Sequence, residues 1–129
     1  MRDAGTRGIV AGMTVDAIMP NLHASDLDAA RRFYVGELGM AEQPMGHDWV
    51  TRFVDPSTGA AVQVQIRDAT APEDSAATVK VDDVDALYAA MRAAGYEIVH
   101  PLVTEAWGVR RFFVRSPGGA VLNIAQRHG

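Results

Sequence analysis

The chain contains no cysteine and only one lysine, Lys80, and both shortages narrow what it can do. Without thiols there is no disulfide scaffold, no thiolate zinc site and no cysteine nucleophile. Basic residues form no stripe and the formal charge is −4, so the chain lacks the positive surface that neutralises phosphates. Nucleic acid is not an expected partner. Long apolar runs are missing too. The longest early one, Ile9 to Met13, is too short for the core of a signal sequence, and nothing approaches a bilayer-spanning helix. A cytoplasmic protein without membrane contact is expected.

What remains is an ordinary globular composition. At 129 residues with 48% hydrophobic and 22% charged residues, the chain can bury one sizeable core, and it fits neither disordered nor collagen-like classes. Residues 1–13 mix Gly, Arg, Asp and Thr without a period and read as a mobile N-terminal segment. Residues 14–129 read as one domain. Alternation from Val15 to Ser25 predicts a strand, in which Pro20 is awkward because it cannot donate a ladder hydrogen bond. Ser25 or Asp26 then caps a helix whose apolar positions Leu27, Ala30, Phe33, Tyr34 and Leu38 keep a helical period up to Gly39. Strands are expected over Ala41 to Met45, Asp48 to Val54 and Ala60 to Arg67, the last marked by Val62, Val64 and Ile66 alternating with Gln63 and Gln65. Residues 68–75, polar and containing Pro72, form the only plausible internal linker.

The pattern then starts again. A strand over Ala77 to Val81 precedes a helix capped by Asp82 or Asp83 that carries Val84, Leu87, Met91 and Ala94 on one face and ends at Gly95. Strands are expected over Tyr96 to Val99, Val109 to Arg115 and Ala120 to Gln126. Asp26-Leu-Asp-Ala matches Asp83-Val-Asp-Ala at an offset of 57 residues, Leu38-Gly39 matches Ala94-Gly95 at 56, and Gly59 matches Gly119 at 60. Two copies of a strand, helix and three-strand unit follow, module one at about 14–67 and module two at about 76–127. The class is α+β. One amphipathic helix per module covers one sheet face and leaves the other free to build a shared concave wall.

Three segments, SDLDAARRFYVGELGM (25–40), DDVDALYAAMRAAGYEI (82–98) and EAWGVRRFFVRSPGGAVLNI (105–124), together resemble the vicinal oxygen chelate superfamily of glyoxalases, extradiol dioxygenases, fosfomycin-resistance enzymes and bleomycin-resistance proteins. The resemblance implies paired βαβββ modules in an incomplete, cupped barrel, a homodimer, and ligand sites at or near its interface. Ser116 stands where family members commonly carry an aspartate before the proline. In the metalloenzymes of this superfamily the ligands come from the first and last strand of each module. Carried over by spacing from Asp26, Asp83, Gly59 and Gly119, those positions hold Met19, Ala76, Gln63 and Asn123. None offers a carboxylate or an imidazole, so no metal and no other cofactor are expected.

Strand parity populates the expected cavity with Met19, Asn21, His23, Gln63, Gln65, Thr78, Lys80, Arg111, Phe113 and Asn123, with Trp49 and Trp107 as stacking surfaces. Such a wall of amides and aromatics suits an uncharged, polyfunctional small molecule. The expected function is metal-independent binding of that molecule, as in the antibiotic-sequestering bleomycin-resistance proteins, whose branch tends to place a proline where Pro20 stands. The alternative is a lyase, isomerase or oxygenase. It would use either a metal on displaced ligands such as His23 and Glu105, or metal-free acid–base chemistry by His23 or Lys80. Duller readings stand beside these. Phe33, Tyr34, Leu87 and Met91 go to the core by their helical spacing, and His47, His100 and His128 go to turns or the terminus. His23 could be a satisfied hydrogen-bonding residue, Lys80 a snorkelling side chain at a strand end, and Glu105 a solvated acid.

Overall fold

A computed structural model describes residues 8–127, and its secondary structure follows the repeated pattern. In chain order the elements are β1 (Val15–His23), α1 (Leu27–Arg31) running on as a π-helical stretch (Arg32–Glu37), β2 (Ala41–Pro44), β3 (Val50–Val54) and β4 (Ala61–Gln65). The second set is β5 (Ala77–Val81), α2 (Val84–Ala93), β6 (Ile98–Thr104), β7 (Val109–Arg115) and β8 (Val121–Arg127). The fold is therefore α+β with two βαβββ modules. By contacts the chain divides into a first unit, Met19–Ala76, and a second unit made of Ala77 onward together with the residues up to Ile18.

The residues that revealed the repeat have matching local jobs. Asp26 accepts a hydrogen bond from the Asp28 N–H at 2.8 Å, and Asp83 accepts one from the Ala86 N–H at 3.2 Å, so both helices start on an aspartate cap. The paired glycines Gly39 and Gly95 stop the helices with φ of 74° and 88°, and Gly59 and Gly119 turn the chain into β4 and β8 with φ of 80° and 98°. Only glycine takes such angles without steric cost.

In the first unit β2, β3 and β4 are antiparallel neighbours and β1 joins β4 in parallel, giving the order β2-β3-β4-β1. Leu27 and Ala30 of α1 pack on Phe53, Val62 and Val64, with Ala24, Tyr34 and Met40 at the margin. The Tyr34 ring stacks on Phe53 at 4.9 Å. Phe33 departs from its expected core position and is 52% exposed, as are Leu38 at 57% and Val35 at 41%. The cause is the π-helical turn, in which the Leu38 N–H reaches the Phe33 carbonyl instead of the carbonyl of Tyr34. One extra residue per turn shifts the apolar stripe out of phase with the sheet.

The expected linker belongs to the first unit and is held by Arg67. Its guanidinium donates to Asp74 Oδ1 at 3.0 Å and to the Ala71 carbonyl at 3.0 Å, while the Asp68 N–H reaches Asp74 Oδ1 at 2.7 Å. Asp68 also accepts a short hydrogen bond from the Thr70 hydroxyl.

In the second unit the order is β5-β8-β7-β6. Val84 and Leu87 of α2 pack on Val79, Val81, Phe112, Val114 and Ile124, with Tyr88 and Met91 alongside. Phe112 is fully buried, which is worth about 2–3 kcal/mol in hydrophobic free energy. Of the expected mobile segment, residues 1–7 lie outside the described residues, as does His128. Val10 and Met13 are packed against this core, and the Thr14 N–H donates to Asp82 Oδ1 at 2.9 Å.

β6 is longer than expected, running through Pro101 to Thr104 with two register shifts against β7. A proline is tolerated there because β6 is the edge strand, and Pro44 plays the same part on β2. No helix among the described residues is long and apolar enough to cross a membrane.

Candidate functional site

Each helix covers one face of its own unit's sheet, and register decides what the other face carries. In the first unit Asn21 is level with Gln63 and His23 with Gln65 across β1 and β4, while Arg52 and Val50 stand opposite the same glutamines on β3. Residues level with one another point to the same side. The face turned away from α1 therefore carries Met19, Asn21, His23, Arg52, Gln63 and Gln65. Met19, Gln63 and Gln65 are buried and His23 is exposed.

Buried amides need partners. Gln63 Nε2 donates to Asn21 Oδ1 at 3.3 Å, and Asn21 Nδ2 donates to Ser75 Oγ at 2.8 Å. The Asn21 N–H also reaches the Ala76 carbonyl at 2.8 Å. A chain of amides thus ties β4 to β1 and to the segment before β5. Trp49 does not join it. The alternation from Val50 sets it out of line with Gln65, and its ring lies 5.4 Å from that of His47.

The free face of the second unit has a different chemistry. One row across the strands runs Thr78, Asn123, Phe113, His100, and the next runs Lys80, Ala125, Arg111, Val103. Arg111 is the centre. It is only 4% exposed, and its Nε donates to Glu105 Oε2 at 2.7 Å. Its guanidinium carbon lies 5.3 Å from the centre of the Trp107 ring and 4.9 Å from that of Phe113. A planar, weakly hydrated cation is suited to this double stacking.

The turn between β6 and β7 makes the arrangement possible. The Glu105 N–H bonds the Val109 carbonyl at 2.8 Å, the Gly108 N–H returns to the Glu105 carbonyl at 3.0 Å, and Gly108 adopts φ of 85°. A residue with a side chain after Trp107 would be strained there, which gives the Trp-Gly pair a physical reason.

Asn123 donates from Nδ2 to Thr78 Oγ1 at 3.3 Å, and its Oδ1 is buried with no hydrogen-bond partner among the described residues. An unmet buried acceptor costs about 1–3 kcal/mol. It asks for a donor.

Of the residues expected from the sequence, Met19, Asn21, His23, Gln63 and Gln65 share one face in the first unit. Thr78, Lys80, Arg111, Phe113 and Asn123 share one in the second, with Glu105 and Trp107 at its edge. Sequence reasoning missed His100 and Arg52. Alternation ends the strand at Val99 and leaves His100 in a turn, yet it lies in β6 with its ring 5.3 Å from Phe113. Arg52 carried a usable signal, since it alternates with Val50 and Val54.

Glu42, Arg31 and Arg110, whose protonation is shifted, lie off these faces. Glu42 is level with Phe53 on the α1 side, where the Thr51 hydroxyl donates to it at 2.7 Å and Arg31 Nε at 2.9 Å. Thr51 first, then Arg31, hold the Glu42 carboxyl below its usual range against the opposing effect of burial. Arg31 is raised in turn, chiefly by its bond to Glu42. On the α2 side the bond to Asp85 at 2.7 Å raises Arg110.

The positions where relatives hold metal ligands do not fit a metal. Met19 offers a thioether, Ala76 nothing, and the Gln63 and Asn123 amides are neutral, with hydrogen bonds to Asn21 and Thr78. Hard divalent ions and zinc both need anionic oxygen or imidazole. Among the described residues no three His, Asp or Glu side chains group in a way that could hold an ion.

Comparison with known proteins gives this architecture a family. The model of the Glyoxalase/Bleomycin resistance protein/Dioxygenase superfamily matches residues 14–124. Comparison with curated proteins finds no match. Among solved structures, a superfamily member from Vibrio splendidus is similar at 22% identity, with 88% of this chain and 99% of that one covered and a TM-score of 0.65. A hypothetical protein from Bacillus halodurans is similar at 14% identity, covering 92% and 96%, with a TM-score of 0.67. The Mn(II)-bound glyoxalase from Novosphingobium aromaticivorans is similar at 24% identity over 89% of this chain and 40% of that one, with a TM-score of 0.62. At these identities the likeness is one of fold.

Proposed function

Because the chain belongs to the glyoxalase/bleomycin resistance protein/dioxygenase superfamily, we propose that it is a metal-independent binding protein for a small aromatic, polyfunctional molecule, in the manner of the antibiotic-sequestering members. The observation that carries this reading is the donor set at the four superfamily ligand positions. Met19, Ala76, Gln63 and Asn123 supply no charge to balance a cation, and the Gln63 amide is already held by Asn21. What the second unit offers instead is stacking by the partly exposed Trp107 and His100 and hydrogen bonding to the Asn123 side-chain oxygen. Concave small-molecule sites use the same combination of aromatic surface and a few polar groups.

The catalytic alternative has less support. Acid–base chemistry would fall to His23, Lys80 or Glu105, but the first two are exposed and the third is held by Arg111. A cytoplasmic homodimer is the assembly that goes with this reading. The test is a thermal-shift screen of aromatic natural products. A genuine ligand at a hundredfold excess over its Kd should add about 2.7 kcal/mol of stability. The shift should persist in chelator. No stabilisation by any aromatic compound would remove the proposal's main support.

A further inference from the structure

The two helices of the repeat differ by one residue. Asp26 and Asp83 match at an offset of 57 and Gly39 and Gly95 at 56, so the first unit holds one residue more between cap and stop. The π-helical stretch Arg32–Glu37 absorbs it, and such stretches are frequent at functional sites. The second unit keeps its large apolar helix residues covered. Val84 and Leu87 are buried, Tyr88 and Met91 pack on the same core, and Ala89 and Ala90 stand where the first unit has Arg32 and Phe33. The first unit instead leaves Phe33 and Leu38 more than half exposed. Their side of the helix follows from their neighbours. Arg31 reaches Glu42 on β2 and Tyr34 stacks on Phe53 beneath the helix, which sets Phe33 on the flank turned towards β1. On that side of the sheet Leu22, level with Val64, is exposed, as is Ile66, the next residue in alternation after Val64. These four half-open side chains present roughly 300–400 Å² of apolar surface, the size of patch that is often functional on a monomer. One charge of each sign edges it. Arg32 and Glu37, one i→i+5 step apart on the π-helical stretch, are both exposed and neither is paired among the described residues. Gly36 between them leaves open space where a Cβ would stand, so the backbone there admits a close approach.

We propose that this helix face of the first unit docks a second copy of the chain, the two π-helical stretches lying antiparallel about a two-fold axis. In that arrangement Phe33 and Leu38 of each copy pack on those of the other, and Arg32 of each meets Glu37 of the other. A two-fold contact requires a patch that is its own complement, and an apolar centre with one acid and one base in exchangeable places meets that requirement. The inference rests on the homodimer that accompanies the binding reading and gives it a surface. That surface lies on the opposite side of the first unit's sheet from Asn21 and Gln63, so a second copy does not compete with a ligand there. An apolar centre of this extent belongs to a small interface, and the dimer should dissociate on dilution.

Sedimentation velocity of the full chain over a dilution series reads the association. The unaltered chain should pass from dimer to monomer, and the midpoint should move to higher concentration in added salt. Phe33→Ser should weaken association at least about a hundredfold, because each dimer loses two buried rings. Arg32→Glu and Glu37→Arg should each weaken it about tenfold, and the double variant should restore it, since the exchanged charges meet again across the axis. Both of those positions are exposed, so the charge series reads association even where Phe33→Ser fails to fold. A chain that stays monomeric at millimolar concentration would overturn the homodimer and this face together, leaving ligand binding to its own thermal-shift test. A dimer left equally tight by Phe33→Ser and by both charge reversals would overturn the face and leave the homodimer standing. Charge reversals that weaken association without rescuing each other would contradict the antiparallel alignment.

Discussion

The two units are built on one pattern and have put different chemistry on the equivalent face. In the first, the face away from the helix is a ladder of amides in which Gln63, Asn21 and Ser75 satisfy one another. In the second, the equivalent face centres on a buried cation, Arg111, gripped by a carboxylate and two aromatic rings, beside an asparagine whose oxygen has no partner among the described residues. Asn123 and Gln63 occupy corresponding places four residues after Gly119 and Gly59. One amide oxygen-and-nitrogen pair is therefore structural and its counterpart is half open. The difference teaches that backbone equivalence fixes where a side chain points, while the neighbouring strand decides whether it is satisfied.

Four perturbations would break or sharpen this contrast, and they differ in size. Glu105→Ala removes the carboxylate that Arg111 pairs with in a site that is 4% exposed, and should cost about 3–5 kcal/mol in denaturant unfolding. A loss below about 1 kcal/mol would mean that water already reaches the guanidinium. In the first unit, Asn21→Leu leaves Gln63 and Ser75 each short of a contact, and a loss of about 1–3 kcal/mol is expected from the same measurement. The Glu42 network should contribute about 1 kcal/mol through its pH dependence. Its folded pKa is depressed, so this stability is fully present above the unfolded value of about 4.3 and is lost as pH falls through the folded value. Urea midpoints followed into acid should show Glu42→Gln with a shallower decline than the unaltered chain. Asn123→Leu should have the smallest effect on folding, within about 0.5 kcal/mol, because it removes an unmet acceptor together with one long hydrogen bond. A cost for Asn123→Leu equal to that for Asn21→Leu would erase the distinction between the two faces.

Much of this was readable from the sequence. The Asp26/Asp83 and Gly59/Gly119 pairs located the modules because caps and left-handed turns restrict residue type more tightly than strands do. Period-two alternation also put Gln63 with Gln65 and Arg111 with Phe113. Phe33 and His100 were misread for physical reasons. A π-helical turn leaves no composition signal, so the helical period carried Phe33 into a core that it does not join. A proline at an edge strand is tolerated, so Pro101 concealed the strand that carries His100. Which polar atoms meet, such as Glu105 with Arg111, depends on turn geometry and register shifts that alternation does not encode.

The central claim is that ligand is held by stacking and hydrogen bonding without a metal. It is tested most directly by titrating an aromatic ligand from the thermal-shift screen into the protein by calorimetry, once in chelator and once in excess manganese or zinc. Equal affinity in the two titrations is the expected result, with the metal itself producing no heat of site binding. Affinity that appears only with the metal present would contradict the claim and would require ligands other than Met19, Ala76, Gln63 and Asn123.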